Sequence, residues 1–261
     1  MRQIRNMSIL FDEIVFGPVH SRRFGTSLGM NLLPLDYKFC TFNCVYCECG
    51  WTYPENMRGV ELPSFADIKQ AMQERFPSLS HIPDNITFAG NGEPTIHPEF
   101  SAIIDETIRQ RDKHLPGSKI TVLSNASQLH KPKIFDALKK VDNNVLKLDA
   151  GTESMFQAIN NPAGNLTLET VISHLKLFDK SELTIQTLFL RGQVDGEKVD
   201  NTTDEEIHQW LEHLKEINPG RVMIYSIDRE PPAKNLERIG RKELEQIAHK
   251  VRDAGIATEI Y

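Results

Sequence analysis

The sequence predicts an α/β fold with a parallel sheet. Short strand-like segments alternate with segments of helical periodicity along the chain. Helix-start signals stand where the pattern changes, because Ser64 with Asp67 and Thr203 with Glu206 both have the spacing of a capping box. Such alternation is typical of parallel strands joined by right-handed crossovers. It fits a barrel and an open doubly wound sheet equally well.

The predicted elements follow one another in a regular order. Strand-like segments are predicted at 28–33, 85–89, 119–123, 145–148, 183–190, 222–227 and 257–261. Helical segments are predicted at 65–76, 98–114, 132–141, 153–160, 166–179, 204–217 and 240–254. Pro98 suits the first turn of the second helix, since proline lacks the amide that this turn leaves unpaired. Gly220 and Gly255 follow the last two helices and predict where those helices end.

Length and charge limit the classes of function. The 261 residues suffice for one barrel-sized domain, and 36 acidic against 30 basic residues give no electrostatic case for general nucleic-acid binding. No apolar run reaches the length of a membrane span, and the first residues do not lead into a signal-type segment. We therefore expect a cytoplasmic protein without membrane contact. Four cysteines are too few for a disulfide framework in a chain of this length.

Three of the cysteines, Cys40, Cys44 and Cys47, are spaced C-x3-C-x2-C. Three thiolates in one loop can bind three irons of a cubane [4Fe–4S] cluster, which leaves the fourth iron open to another ligand. A zinc site is less consistent with this spacing, because structural zinc sites take two ligand pairs well apart and only Cys49 remains. Cys49 is expected to be a spare thiol beside the cluster. A non-catalytic electron carrier and a zinc-binding module stay as alternatives.

Polar loops follow four consecutive predicted strands. The cysteine loop follows the first strand, Gly90–Thr95 follows the second, Ser124 and Asn125 follow the third, and Asp149 closes the fourth. In parallel α/β folds the chemistry collects at these carboxyl ends of the strands. Glycines let the backbone approach a ligand closely, and the carboxylate of Glu93 can accept hydrogen bonds from an ammonium group. A simple turn before a helix is the alternative for this glycine-containing loop.

The cysteine spacing, with Tyr46 directly before the third cysteine, resembles the signature of the radical S-adenosylmethionine (SAM) superfamily. One strand later, Asn91-Gly92-Glu93 resembles the "GGE" motif of that superfamily. The resemblance implies that the three motif cysteines bind a [4Fe–4S] cluster whose open iron chelates SAM. It implies that an electron from the cluster cleaves SAM reductively to a 5′-deoxyadenosyl radical, which abstracts hydrogen from a substrate.

The same resemblance implies the fold and the residues that hold SAM. The fold is a partial (β/α)6 barrel over residues 28–261, after an N-terminal extension of residues 1–27. The expected SAM-binding residues are Tyr46, Gly90, Asn91, Gly92, Glu93, Ser124, Asn125, Asp149, Gln186 and Leu188. Gln186 and Leu188 share one face of their strand and are expected to contact ribose and adenine, and the opposite face with Thr187 and Phe189 is the alternative. The alternative for Ser124 and Asn125 is that they cap their own turn. Asp149 shares a strand face with Lys147, so a structural ion pair is the alternative there.

A narrower resemblance concerns the substrate. Phe16–Asn31 resembles the lead-in of the wyosine-synthase-like iron–sulfur oxidoreductases, and Val222–Pro232 resembles a second stretch of that family. Basic side chains in this lead-in suit a substrate phosphate or carboxylate. The residues expected to contact a substrate are His20, Arg22, Arg23 and Lys147.

The substrate is expected to be a peptide, a protein or a small metabolite. Modification of a tRNA base is the alternative. It ranks lower because the charge balance is acidic and the sequence has no second cysteine cluster. No flavodoxin-like domain fits within the length of the chain, so an external flavodoxin or ferredoxin is expected to supply electrons. No residue is assigned as the catalytic residue.

Overall fold

The computed structural model describes residues 9–261 and confirms the predicted α/β class. The first eight residues of the predicted N-terminal extension lie outside the described residues. The chain forms two compact units. We call the unit made of Leu10–Thr41 and Thr52–Val145 the N-terminal unit, and the unit made of Phe42–Trp51 and Leu146–Tyr261, with Ile9, the C-terminal unit.

The N-terminal unit is built on parallel strands that are preceded by a hairpin. Strands β1 and β2 are antiparallel, and β2, β3 and β4 are parallel in that order. The strands are β1 (Val15–Ser21), β2 (Gly25–Met30), β3 (Asn85–Phe88) and β4 (Lys119–Ser124). The helices are α1 (Phe65–Arg75), α2 (Phe100–His114) and α3 (Pro132–Leu138), and α2 packs against both others. Leu28, Ile86 and Ile120 on neighbouring strands are fully buried.

Strand β5 (Asn143–Lys147) begins in the N-terminal unit and ends in the C-terminal unit. In the latter unit β6, β8 and β10 are parallel, and β7 and β9 pair antiparallel with the far half of β6. The strands are β6 (Thr184–Val194), β7 (Glu197–Asp200), β8 (Arg221–Ser226), β9 (Asn235–Arg238) and β10 (Ala257–Ile260). The helices are α4 (Glu153–Asn160), α5 (Leu168–Leu175), α6 (Asp204–Ile217) and α7 (Arg241–Asp253).

The proline and glycine signals for helix ends have different outcomes. The prediction that Pro98 lies in the first turn of α2 is wrong, because α2 begins at Phe100 with Glu99 as its N-cap. Helix α6 ends at Ile217 as predicted, but Asn218 caps it in a left-handed conformation at φ 52°, and Gly220 does not. Asparagine tolerates this conformation better than most residues do. Gly255, at φ 79°, does follow the end of α7 as predicted.

The two predicted capping boxes have different outcomes. The box of Ser64 and Asp67 forms in full at the start of α1. At α6 only half of the box forms, because Thr203 Oγ1 accepts from the amide of Glu206. The Glu206 carboxylate instead accepts from the amides of Gly151 at 2.7 Å and Thr152 at 3.3 Å. Glu206 thereby fixes the loop that leaves β5. Within residues 9–261, no helix is long and apolar enough to cross a membrane.

Candidate active site

The loop after β3 is held against the residue that precedes the first motif cysteine. The amide of Phe39 donates to the carbonyl of Asn91 at 2.8 Å, and the amide of Glu93 donates to the carbonyl of Phe39 at 3.3 Å. Gly92 lies between them at φ +146°, and a Cβ there would lie 1.8 Å from the Phe39 carbonyl oxygen. Only glycine therefore fits position 92. In the N-terminal unit this close pairing fixes the backbone that leads into Cys40.

Asn91 is fully buried and its side chain is occupied by main-chain groups. Its Oδ1 accepts from the Phe11 amide, and its Nδ2 donates to the carbonyls of Phe11 and Pro34, each at 2.8 Å. The main chain of Asn91 is fixed as well, because Asn31 Oδ1 accepts from the Asn91 amide at 3.1 Å. A Cβ on Gly90 would lie 2.2 Å from Asn31 Oδ1, so this position also needs a small residue. The side chain of Asn91 thus braces the loop, and a contact of Gly90 or Asn91 with SAM stays a prediction.

Glu93 joins this loop to the turn after β4. Its Oε1 accepts from the Thr95 amide at 3.0 Å and from Ser124 Oγ at 2.8 Å, and its Oε2 accepts from the Asn125 amide at 2.6 Å. Burial raises the pKa of the Glu93 carboxyl, while the hydrogen bonds from Asn125, Thr95 and Ser124 oppose that rise. Oε2 receives fewer of these bonds than Oε1 and keeps capacity to accept another donor.

The turn of Ser124 and Asn125 contacts the first motif cysteine. Asn125 Nδ2 lies 3.6 Å from Cys40 Sγ and 3.0 Å from Thr41 Oγ1, and its Oδ1 accepts from the Ser127 amide. Ser124 Oγ accepts from the amide of Ala126 at 3.1 Å. Both side chains therefore stabilise their own turn, which was the alternative derived from the sequence. Their contact with SAM stays a prediction.

The C-terminal unit holds the other two motif cysteines. The Cys47 amide donates to the carbonyl of Cys44 at 3.1 Å, which forms a tight turn, and Cys44 is buried. The end of α4 holds this segment, because the Val45 amide donates to the carbonyl of Ile159 at 3.0 Å. Asn160, at the last position of α4, donates from Nδ2 to Cys44 Sγ at 3.5 Å. The sequence did not predict this role of Asn160, because a helical pattern does not show which loop the end of the helix contacts.

Asp149 is the centre of a buried polar network in the same unit. Its side chain is inaccessible to solvent and accepts from Asn160 Nδ2 at 2.7 Å, from the Leu188 amide at 2.9 Å and from the Tyr46 hydroxyl. Lys147 Nζ lies 3.5 Å from Asp149 Oδ2. The predicted shared face of Lys147 and Asp149 is thus observed as an ion pair, and Asp149 fixes the aromatic residue of the cysteine motif.

Burial and charge set the protonation of this network. Burial, followed by the charge of Asp149, raises the pKa of Tyr46 well above its usual value. Burial alone would lower the pKa of Lys147, but the charge of Asp149, with smaller effects of Tyr225 and Cys44, raises it overall. Lys147 also lies 5.1 Å from the centre of the Tyr46 ring. At neutral pH a phenol and an ammonium group therefore both face the Asp149 carboxylate.

The first part of strand β6 is buried on both faces. Gln186 and Leu188 are buried, but so is every residue from Thr184 to Leu190. The carbonyl of Gln186 accepts from the amide of Leu148, and the amide of Leu188 donates to Asp149. Their predicted side-chain contacts with ribose and adenine stay predictions.

In the N-terminal unit, the turn that carries Arg22 and Arg23 lies at the opposite end of the strands from the Gly90–Glu93 loop. His20 pairs with Thr26 in the β1–β2 hairpin, and Arg22 and Arg23 form the turn before β2. This turn lies beside Asp84, directly before β3, because the Thr26 amide donates to Asp84 Oδ2 at 2.7 Å. Since β2 and β3 are parallel, the Gly90–Glu93 loop leaves the opposite end. Contact of His20, Arg22 and Arg23 with a substrate stays a prediction.

The profile of the radical SAM superfamily matches residues 35–200, which is more than half of the chain and includes the cysteine motif. The chain belongs to the radical SAM superfamily. A UPF0026 protein of Helicobacter pylori (strain J99) is 33% identical over 235 residues, which cover 88% of this chain and 71% of that relative. The resemblance to the radical SAM superfamily that the motifs indicated is thereby confirmed.

Solved structures of radical SAM proteins share the fold. A radical SAM methyltransferase from Sphaerobacter thermophilus superposes with a TM-score of 0.63 at 14% identity, covering 90% of this chain and 65% of that one. A structure of TYW1 with a lysine–pyruvate adduct bound gives 0.57 at 17% identity, covering 88% and 75%. These likenesses concern the fold alone. They confirm the predicted α/β fold of the radical SAM type.

The three motif cysteines of this radical SAM protein are thiolate donors of the kind that an iron–sulfur cluster takes. None of the four cysteines forms a disulfide, and amide side chains approach both Cys40 and Cys44 as N–H donors. Such donors stabilise the negative charge of thiolate ligands. The Oδ1 atom of Asn160 is buried without a hydrogen-bond partner among the described residues. Within residues 9–261 no group of three or more histidine, cysteine, aspartate or glutamate side chains is arranged for a single metal ion.

Proposed function

We propose that this protein is a radical SAM enzyme in which Cys40, Cys44 and Cys47 bind a [4Fe–4S] cluster. The cluster, when bound, supplies the electron for the reductive cleavage of SAM to a 5′-deoxyadenosyl radical. The observation that carries the proposal is the Glu93 connection, which joins the predicted SAM loop to the turn that contacts Cys40. A plain electron carrier or a zinc-binding module would give this loop no role.

We propose different roles for the residues around SAM. Glu93 accepts from the amino group of SAM through Oε2, while Gly92 keeps the loop backbone close to the ligand. Tyr46, Gln186 and Leu188 line the adenosine part, and Asp149 acts by holding Tyr46 in place. Burial of these groups excludes water from the radical that the reaction generates.

The substrate proposed is a peptide, a protein or a small metabolite, and the electron donor is an external flavodoxin or ferredoxin in the cytoplasm. The formal net charge of −6 supports this choice over RNA. The position of Arg22 and Arg23 supports it as well, since these cations do not lie near Cys40. A tRNA base remains the second candidate, because the N-terminal lead-in resembles wyosine-synthase-like proteins.

The deciding experiment compares two single cysteine variants with the wild-type protein. Each protein is reconstituted anaerobically with iron and sulfide, and 5′-deoxyadenosine formed from SAM with dithionite is measured. We expect Cys44→Ala to abolish the product and Cys49→Ala, the matched control, to retain most of it. A wild-type protein that binds a full cluster but forms no 5′-deoxyadenosine would indicate an electron carrier. A wild-type protein that binds zinc in place of iron would indicate a zinc-binding module.

The substrate class is tested with fractionated cell extract. Peptide, small-molecule and RNA fractions are added separately, and the rate of 5′-deoxyadenosine formation is compared with the rate without addition. We expect a peptide or small-molecule fraction to increase the rate. An increase by RNA alone, abolished by ribonuclease, would favour the tRNA-modifying function instead.

A further inference from the structure

Asn160 is placed to act on one cysteine of the motif. Its side chain is buried, with 1% of the residue exposed, and its Nδ2 lies 3.5 Å from Cys44 Sγ. The same nitrogen lies 2.7 Å from Asp149 Oδ2. A side-chain amide nitrogen carries two hydrogens, so it can donate one to the carboxylate and the other to the sulfur.

The direction of this amide group is determined by its partners. An ionised carboxylate only accepts hydrogen bonds, so the nitrogen of Asn160, and not its oxygen, must face Asp149. Asp149 is itself fixed by the Leu188 amide and by Lys147. The main chain also holds Asn160 beside Cys44, because the amide of Asn43, the residue before Cys44, donates to the carbonyl of Asn160 at 3.1 Å. The donor therefore points at Cys44 in a rigid, buried setting.

We propose that Asn160 is a positioning residue that raises the reduction potential of the cluster through Cys44. The inference rests on the proposed function, since it requires Cys44 to be a cluster ligand. A hydrogen bond to a ligand sulfur stabilises negative charge on that sulfur. The reduced cluster carries one more electron than the oxidised cluster, so the bond stabilises the reduced state more. Asp149 contributes by orienting the amide toward the sulfur.

The test is a redox titration of two variants at position 160. Asn160→Leu removes the donor. Asn160→Asp keeps the shape, but its carboxyl meets the Asp149 carboxylate at hydrogen-bond distance and shares one proton with it, so no hydrogen is left for the sulfur. The matched control is Asn144→Leu, because Asn144 on β5 is also buried and has no side-chain hydrogen bond among the described residues. Each protein is reconstituted, and its iron and sulfide content is measured. The solution potential is then set stepwise with dithionite, and the amount of reduced cluster at each potential is measured by electron paramagnetic resonance.

We expect both Asn160 variants to bind the cluster with a lower midpoint potential. At a fixed potential, the ratio of reduced to oxidised cluster should fall about tenfold in Asn160→Leu, which is about 59 mV for a one-electron couple. It should fall to a similar extent in Asn160→Asp, because the proton that its carboxyl shares with Asp149 leaves none for the sulfur. The control Asn144→Leu should keep the wild-type ratio of reduced to oxidised cluster. A lower ratio in this control as well would show that the loss of any buried asparagine changes the potential.

The outcomes separate this inference from the proposed function. Wild-type midpoint potentials in both Asn160 variants would overturn the inference and leave the proposed function intact. Loss of cluster binding in both folded variants would also overturn it, since Asn160 would then retain the cluster rather than tune it. A wild-type protein without any cluster would overturn the proposed function first. If Asn160→Leu does not fold, the isosteric Asn160→Asp decides the question alone.

Discussion

At the scale of single residues, the requirement for glycine at position 92 is the sharpest constraint. Replacing Gly92 by alanine puts a Cβ 1.8 Å from the Phe39 carbonyl oxygen, at a φ of +146° that side chains rarely adopt. We expect Gly92→Ala to lower the free energy of unfolding by at least about 2 kcal/mol, from backbone strain and displacement of Phe39. Denaturant unfolding and iron content after reconstitution measure both effects.

Gly59→Ala is the matched control for this replacement. Gly59 also has a positive φ, +61°, but a Cβ there meets no atom within 4 Å. We expect this variant to lose about 1 kcal/mol and to bind iron like the wild-type protein. Equal effects of the two replacements would show that the contact between Gly92 and Phe39 does not matter.

His97 gives the stability a dependence on pH. Its Nδ1 accepts from the Glu99 amide at 3.2 Å and its Nε2 donates to the Pro63 carbonyl at 2.9 Å, so the neutral ring fits this place. Burial lowers the pKa of His97 below 6.5. The unfolded chain then binds the proton more readily than the folded chain does. The stabilisation is therefore complete above pH 6.5 and is lost as the pH falls below it.

The measurement is the free energy of unfolding between pH 8 and pH 5 for the wild-type protein and for His97→Gln. We expect the wild-type protein to lose stability below pH 6.5 more steeply than the variant, because the variant has no imidazole to protonate. His208→Gln, at an exposed position of α6, should keep the wild-type slope. An unchanged slope in His97→Gln would contradict the assignment.

At the scale of elements, the N-cap of α6 can be tested separately from its packing. Thr203 Oγ1 accepts from the Glu206 amide at 3.3 Å, which satisfies one of the amides that a helix start leaves unpaired. We expect Thr203→Ala to lower the free energy of unfolding by about 1 kcal/mol, as measured by urea denaturation. Thr203→Ser keeps the hydroxyl and should recover most of this loss. Equal losses in both variants would assign the effect to the methyl group instead.

The elements also show how far the sequence could predict this protein. Periodicity and capping signals predicted each parallel strand and each long helix, because a buried parallel sheet leaves near-continuous apolar segments. Strands β1, β7 and β9 were missed, since they are half exposed and pair antiparallel, so their composition resembles that of loops. The motif residues were predicted by their spacing. The roles of Asn91, Asn125 and Asn160 were not predictable, because their partners lie far away in the sequence.

At the scale of the whole molecule, we expect the fold to persist without the proposed cluster. Each compact unit has its own apolar core, as shown by Ile86 and Val122 in the N-terminal unit and by Ile185 and Val222 in the C-terminal unit. Removing the cluster by a chelator under oxidising conditions should leave the far-ultraviolet circular dichroism nearly unchanged. Unfolding should stay cooperative, as followed by denaturant titration. Collapse of the helical signal would indicate a chain that folds only around its metal.

The long strand β6 has a consequence for how copies of this chain behave at high concentration. Its residues Leu190–Gln193 pair on one side with β9, and Arg191–Val194 pair on the other side with β7. The far half of β6 therefore offers no open hydrogen-bonding edge. The outer strands are only four residues long and carry charged, exposed side chains, among them Glu197, Lys198 and Arg238. Short charged edges discourage edge-to-edge pairing, so this hairpin arrangement protects a strand of eleven residues from seeding aggregation.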